Sequence, residues 1–432
     1  MSAIKTLYDG MINLVANLGT SRDKSAHSQY FHTVIPANEL EAMFSESWLA
    51  KRGVTVPASD ATRKWRNWRA ESDQIGKIEA EEKRLQLQAK TMQAIIAARL
   101  YGGSAIYINT GTASPESPIS DNENIISLVV LSRHDLAAGK IVRDINSEYF
   151  GRPEFYSIQS SGEPVNIHSS RFALFFGERS NFSLSGDHWG DSVLQSAREA
   201  IRNADATVAN IASLIFESKV DVMNVEGFAD LLAANQDDVL LRRARLQATM
   251  KGTNGMIMLD AKDRYDSKAF GFGGLSELWS RFQEWVSGAF GIPVTRMFGL
   301  SSAGLSGSGD GDERTYYDSI EQLQTLTIAP ALERLDNLLI RQSLGSRPPE
   351  VFYDWAPLRQ LSESDRANIF NLTATALRSL AGANAGELIP IDALSDSAVN
   401  ELTEMGVLPG LEQKISEYGS LREQNSFTGF EE

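Results

Sequence analysis

The chain has 432 residues, 42% of them hydrophobic, with a formal net charge of -15 and no cysteine. Its length accommodates two or three domains with ordinary cores. The acidic balance argues against gripping nucleic acid by phosphate neutralisation, and does not exclude a surface that repels its backbone. The missing cysteines exclude disulfides, thiolate zinc sites and a cysteine nucleophile, and fit a reducing compartment.

The N-terminus carries no pattern of a secretory signal. No apolar run reaches the roughly 18 residues of a membrane span; the nearest, 92–108, contains Arg99 and Gly102-Gly103. Ile4 to Leu18 has helical spacing and stops at Gly19. Asn38 can cap a helix from Glu39, with Leu40, Met43, Phe44 and Trp48 on one side. Trp65 and Trp68 sit among Lys51, Arg52, Arg63, Lys64, Arg66 and Arg69. Such a mix can stack bases and neutralise phosphate; the preferred reading is a packed helix with core tryptophans and solvated arginines. Glu79 to Leu100 reads as one helix ended by Tyr101-Gly102-Gly103. Strands are predicted at 104–109, 125–131, 155–158, 165–167 and 172–176, with a polar loop over 110–123. Helix followed by short strands predicts an α+β domain.

From Asp191 the pattern is helical to about Ser218. Ala197, Ile201, Ala204, Val208, Ile211 and Ile215 form a heptad-like seam. A helix that long needs lateral partners, from its own chain or neighbouring copies. A strand over 220–225, a helix over 227–251 and a strand over 255–260 follow as a small inserted module. Its helix ends in Arg242, Arg243, Arg245 and Lys251, as the helix dipole favours. Ser276 to Phe290 has one apolar side, and Pro293 blocks helix continuation. Residues 301–312, including Ser301, Leu305, Ser308, Asp310 and Asp312, have the Gly/Ser composition of a flexible loop. A long stripe follows (Ile320, Leu323, Leu326, Ile328, Leu332, Leu335, Leu338, Leu339), with a kink expected at Pro330. A strand over 351–355, a helix from Ser362 or Ser364 to about Ala381, and an acidic helical end complete the chain.

Tests for chemistry are mostly negative. The 301–312 segment lacks the Lys-Ser/Thr pair of a phosphate loop, and Asp310, Asp312 and Glu313 would repel phosphate. Those acids do not have EF-hand spacing. The five histidines (His27, His32, His134, His168, His188) form no ligand cluster, and no Gly-x-Ser-x-Gly elbow occurs. No cofactor, no metal and no catalytic residue are expected.

Three stretches in order resemble the portal proteins of tailed bacteriophages, in particular a portal-like group once defined only as a domain of unknown function. The first is Phe182 followed after six residues by Trp189-Gly190-Asp191-Ser192-Val193-Leu194, leading into a long helix. The second is Ala289-Phe290-Gly291-Ile292-Pro293-Val294-Thr295-Arg296-Met297-Phe298-Gly299. The third is the Gly/Ser loop before a long kinked helix. The resemblance covers roughly residues 30 to 400.

It implies an α+β portal fold: an N-terminal arm (1–29), a wing (30–190, completed by 345–365), a stem helix (191–219), a clip (220–262), and a second helical stem segment (263–300). A tunnel loop (301–312), a long kinked helix (313–344), and a crown with an acidic tail (366–432) follow. It further implies a homo-oligomeric ring of twelve, passing double-stranded DNA non-specifically at one capsid vertex of a virion assembled in the host cytoplasm. The implied partners are the terminase large subunit, which hydrolyses ATP, a head-completion adaptor, and the major capsid and scaffolding proteins, with no membrane. On this reading Ser301, Leu305, Ser308, Asp310 and Asp312 narrow the channel by passive constriction or repulsion. Arg242, Arg243, Arg245 and Lys251 meet DNA or an acidic partner, or are solvated. The 197–215 seam packs neighbouring copies. The rivals are another phage structural adaptor, a host helical adaptor, and a metal-dependent nuclease using the acidic loop.

Overall fold

A break at Gln86 sets the first part of the architecture. The computed structural model describes residues 34–112, 114–158, 164–178, 188–216, 219–224, 242, 245, 264–269, 274–299, 309–359 and 363–382. The stretch expected as one helix is two: α3 (Ser72–Leu85) and α4 (Leu87–Tyr101); before them run α1 (Ala37–Glu46) and α2 (Trp48–Arg63). Gln86 has φ 53° and ψ 37°, the left-handed region that stops a helix, and it ends one helix while starting the next. The turn redirects the chain so that Leu85 and Leu87 are both buried.

Of the basic stretch read as a packed helix, Lys51, Arg52 and Arg63 do lie in α2, but Arg66–Arg69 is a strand. β1 (Arg66–Arg69) pairs antiparallel with β10 (Phe352–Trp355), Arg66 opposite Trp355. Strand alternation turns Arg66 and Trp68 inward and leaves Asn67 exposed. Arg66 is therefore not solvated. Its Nη1 donates to Asp336 Oδ2 at 2.7 Å, its Nε to Glu82 Oε1 at 3.1 Å, and its Nη2 also meets Glu82 Oε1. Trp65, Trp68 and Tyr353 surround the guanidinium with ring centroids at 5.0, 5.0 and 4.4 Å. Burial alone would lower the Arg66 pKa, but the carboxylates of Asp336 and Glu82 outweigh it and raise it.

Two three-stranded antiparallel sheets form the next layer. One has the order β3 (Ser127–Ser132), β2 (Gly103–Asn109), β7 (Phe172–Phe176); the other β4 (Leu136–Ala138), β5 (Phe155–Ile158), β6 (Val165–His168). Between them lie Ala105, Leu136, Tyr156, Ile167, Phe172 and Trp189. The alternate residues of the first sheet, among them Ile106, Ile108 and Phe175, are buried as well, and α4 packs on β2 and β3. The α+β expectation holds.

α5 (Val193–Phe216) packs along α6 (Leu275–Phe290). β8 (Lys219–Asn224) pairs antiparallel with β9 (Arg264–Ala269), Lys219 opposite Ala269 and Asn224 opposite Arg264. This corrects the expected start of the second helical stem segment at 263: residues 264–269 are a strand, and the helix waits until Leu275. Gly274 sits just before it with φ 89°, a left-handed backbone outside helix geometry. The strand expected at 255–260 lies outside the described residues.

α7 (Val294–Phe298) leads toward α8 (Gly309–Leu323), which joins α9 (Ala329–Leu344) through a π-turn, Gln324–Ile328. The Ala329 N–H donates to Gln324 O, five residues back. Pro330 accordingly sits at the start of α9, where its absent N–H is tolerated. The irregularity expected at Pro330 takes the form of this wide turn just before it. The extra residue rotates the stripe: Leu326 is 68% exposed, while Gln324 is fully buried and donates its Nε2 to Ala61 O at 2.8 Å. The chain divides into two compact units, Met1–Ala356 and Pro357–Glu432. In the second, α10 (Glu363–Gly382) is the described element.

Candidate functional site: the anchored turn between α6 and α8

The site begins with a proline inside a helix. Pro57 has no N–H to give the Gly53 carbonyl, and its ring crowds that turn of α2. The freed Gly53 O accepts instead from Arg99 Nη2 of α4 at 2.9 Å. Gly53 also lacks a side chain where the ring of Phe290, the last residue of α6, lies against it; a Cβ there would collide with that ring. A helix break in sequence thus becomes a joint between α2, α4 and α6.

The turn after Phe290 follows from glycine and proline chemistry. Gly291 takes φ 63° and closes α6, and Ile292 N donates back to Ser287 O at 3.1 Å. Pro293 then starts α7, which ends at Gly299 with φ 71°. Ile292 and Met297 are buried, and Phe298 meets Trp48 edge-on at 5.5 Å. Arg296 reaches Asp60 of α2 with its Nε at 3.0 Å from Oδ2 and its Nη2 on Oδ1. Tyr316, two turns into α8, donates its Oη to the same Asp60 Oδ2 at 2.8 Å. Arg52 Nη2 donates to the Arg296 carbonyl at 2.7 Å.

Asp60 is fully buried, so it carries charge into the core only because donors meet both oxygens. Hydrogen bonding to Asp60 raises the Arg296 pKa, and burial together with Asp60 raises that of Tyr316. Both groups keep their protons across ordinary pH. The arrangement has the geometry of a clamp. The two helices flanking residues 299–308 are thereby tied to one carboxylate.

A second joint uses backbone alone. Gly102 O accepts from Gly177 N at 3.0 Å and from Gly190 N at 2.8 Å, while Glu178 and Asp191 exchange N–H···O bonds of 3.0 and 2.7 Å. Side chains at Gly102, Gly177 or Gly190 would strike neighbouring backbone, and one at Gly103 would strike the Trp189 ring. Ser192 Oγ accepts from Leu194 N at 3.1 Å, starting α5, and donates to Arg99 O at 3.2 Å. The Trp189-Gly190-Asp191-Ser192 stretch launches the long helix from a three-way backbone crossing.

Of the residues singled out from sequence, Ser301, Leu305 and Ser308 lie outside the described residues. Asp310 and Asp312 lie in the first turn of α8 rather than in a loop. Arg242 and Arg245 are helical and exposed; Arg243 and Lys251 lie outside the described residues. Ala197, Ile201 and Ala204 are buried within the chain, at the end of α5 that meets α2 and α4. That corrects the expected seam: its first half is intramolecular core. Val208 is 48% exposed and Ile211 half-buried, so burial falls off one turn later; Ile215 lies in the last turn of α5. Sequence reasoning missed Asp60, Arg66, Arg99 and Tyr316. The available signal was a charge within an apolar run, Asp60 amid Val54, Pro57, Ala58 and Ala61, and Arg99 amid Ile95, Ile96 and Leu100.

Among the described residues no group of three or more His, Asp or Glu is placed to hold a metal ion. Among them, too, no helix is long and apolar enough to cross a membrane.

Residues 38–379 match the family model described as phage portal protein. A protein of Caulobacter sp. (strain RHG1) named Anti-CBASS protein Acb1 is 39% identical over 436 residues, covering 96% of this chain and 70% of that protein. An uncharacterized protein of Haemophilus influenzae (strain ATCC 51907 / DSM 11121 / KW20 / Rd) is 30% identical over 411 residues, covering 94% and 92%. Among solved structures, a chain from the neck of an empty GTA particle, computed with C6 symmetry, has a TM-score of 0.49 at 16% identity, covering 84% of this chain and 94% of that one. With the matched region spanning both joints and the turn they hold, this chain belongs to the phage portal protein family.

Proposed function

We propose that the chain is a portal protein: a subunit of a homo-oligomeric ring at one capsid vertex, through whose channel double-stranded DNA is packaged, retained and released. The observation that carries this reading is the shared post at Asp60. It fixes α7 and α8, the elements on either side of residues 299–308, to the same helix. A channel wall must resist a moving polymer, and buried charge-assisted bonds on both sides of a segment supply that stiffness. The net charge of -15 supports passage without adhesion. On this reading β8, β9 and the residues between them form the clip that meets the terminase and later the head-completion adaptor. Arg242 and Arg245, both exposed, lie in that module. The chain acts as structure rather than as an enzyme, and it works in the virion.

Imaging of the purified full chain tests the reading. A ring of about twelve copies with an open centre is expected. A monomer at every concentration and salt condition overturns it.

The Caulobacter relative's name favours a second reading, an anti-CBASS action, because the match covers 96% of this chain. It leaves about 30% of that relative unmatched. Phage growth on CBASS-carrying hosts, with and without this chain expressed, separates the two. The portal reading predicts no rescue.

A further inference from the structure

α6 presents two different surfaces. Leu278, Arg281 and Trp285, spaced i, i+3 and i+7, form an exposed ridge, and the Trp285 side chain is 62% exposed. Glu284, Ser287 and Gly288 of the same helix form one wall of a cleft; at 100° per residue Ser287 lies about 160° around from Trp285, while Gly288 borders the ridge one turn on. Asp312, Thr315 and Ser319 of α8 form the other, around an open space of about 440 Å³. Ile292, Pro293 and Val294 add apolar lining between the acidic walls. Ser287 is 5% exposed, and its Oγ has no hydrogen-bond partner among the described residues. An unpartnered hydroxyl at that depth costs free energy unless something brings a partner.

We propose that the occupant is the Trp285 ridge of a second copy of this chain. The chemistry of the two surfaces is complementary. The ridge offers an indole and the Arg281 guanidinium; the cleft offers space, the carboxylates of Glu284 and Asp312, and the Ser287 hydroxyl. Arg281 already meets its own Glu284 at 2.9 Å, so a neighbour's Asp312 extends an existing pair. Trp285 of the ridge and Ser287 of the cleft face different sides of one helix. A contact between them is head-to-tail, which closes into a ring when the rotation permits. This contact rests on the ring reading above and names the residues that hold adjacent copies. A large aromatic seated in a partly apolar cleft is the usual energetic centre of such an interface.

Two full-length variants test it. Trp285→Ala removes the ridge and leaves the cleft. Thr315→Trp, on the α8 wall, fills the cleft and leaves the ridge. Thr315 is exposed, so its own chain tolerates the change; circular dichroism and thermal melts verify both folds. Mass photometry should show each variant alone failing to form rings, with the assembly midpoint raised about 30-fold or more. A mixture of the two should form a one-to-one dimer, because one intact ridge then meets one intact cleft. Rings from both variants at the wild-type midpoint overturn this contact and leave the ring reading standing. A wild-type chain that never assembles overturns both.

Discussion

Arg296 and Asp60 stand 236 residues apart in the chain and face each other through two hydrogen bonds, with the Tyr316 hydroxyl on the same carboxylate. One side chain of α2 thus holds the elements before and after residues 299–308. The arrangement gives the Phe290–Gly299 turn a mechanical meaning that its spacing alone does not reveal.

Removing the post should cost more than removing either ligand. Asp60→Ala leaves a guanidinium and a buried phenol unpaired, and should lower stability by about 3 kcal/mol. Arg296→Met should cost about 2 kcal/mol and Tyr316→Phe about 1 kcal/mol. Urea midpoints measured below the assembly concentration give the order. An equal effect for Tyr316→Phe and Asp60→Ala contradicts the shared post.

The Arg66 cage should show the asymmetry of buried ion pairs. Arg66→Met strands the buried Glu82 and Asp336 carboxylates and should cost about 3–5 kcal/mol. Replacing all three with apolar residues (Arg66→Met, Glu82→Met, Asp336→Leu) should recover at least half of that loss, because no buried charge is then left alone. Differential scanning calorimetry on the single and triple variants provides the comparison.

Glu123 should make stability depend on acid. Arg171 holds it with Nη1 at 2.8 Å and Nη2 at 3.0 Å, and Thr110 and the Ser120 N–H add bonds. These partners, the Arg171 hydrogen bonds first, bring its pKa down to about 2 from an ordinary 4.5. A folded pKa below the unfolded one contributes stability that is fully present above about 4.5. The contribution fades as pH falls toward 2. Its size is about 1–2 kcal/mol once solvent screening is counted. Glu123→Gln should therefore destabilise the protein at pH 7 and make little difference near pH 2. A constant gap across that range would exclude the ion pair as the source.

Backbone demands predict opposite signs at two positions. Gln86→Gly relieves a left-handed residue that is exposed and should raise stability by about 0.5–1 kcal/mol. Gly190→Ala puts a Cβ 2.5 Å from the Gly177 carbonyl carbon and should cost about 2–3 kcal/mol, seen as a lower melting temperature and reduced soluble yield. A neutral Gly190→Ala removes the crossing of three backbones as the reason for the Trp189-Gly190 pair.

Local rules in the sequence settled much of the element pattern. Phe155–Ile158 and Phe172–Phe176 are strands at their expected bounds, since β-branched and aromatic runs between turn residues carry that signal locally. Gly102, Gly291 and Pro293 end or begin helices as their backbone chemistry requires. What failed were the judgements that depend on partners. The Glu79–Leu100 periodicity runs through Gln86 without interruption, and only packing on both sides of the turn holds that residue left-handed. The Trp65–Arg69 stretch has no local marker of a strand; its partner is Phe352–Trp355, far along the chain.

The sequence by itself therefore determined the class of the fold, the long helix after Trp189-Gly190, and the family to which the ordered motifs point. These rest on periodicity and on glycine and proline geometry, which act over a few residues. Only the tertiary structure decided the status of each charge and each face. Asp60 and Arg66 became core because oppositely charged groups from distant segments meet them there. Ala197, Ile201 and Ala204 became intramolecular core because α2 and α4 cover them, and Leu326 turned outward because a π-turn added one residue to a helix. Burial and ion pairing are sums over the neighbours a folded chain brings together, and a linear pattern does not contain that sum.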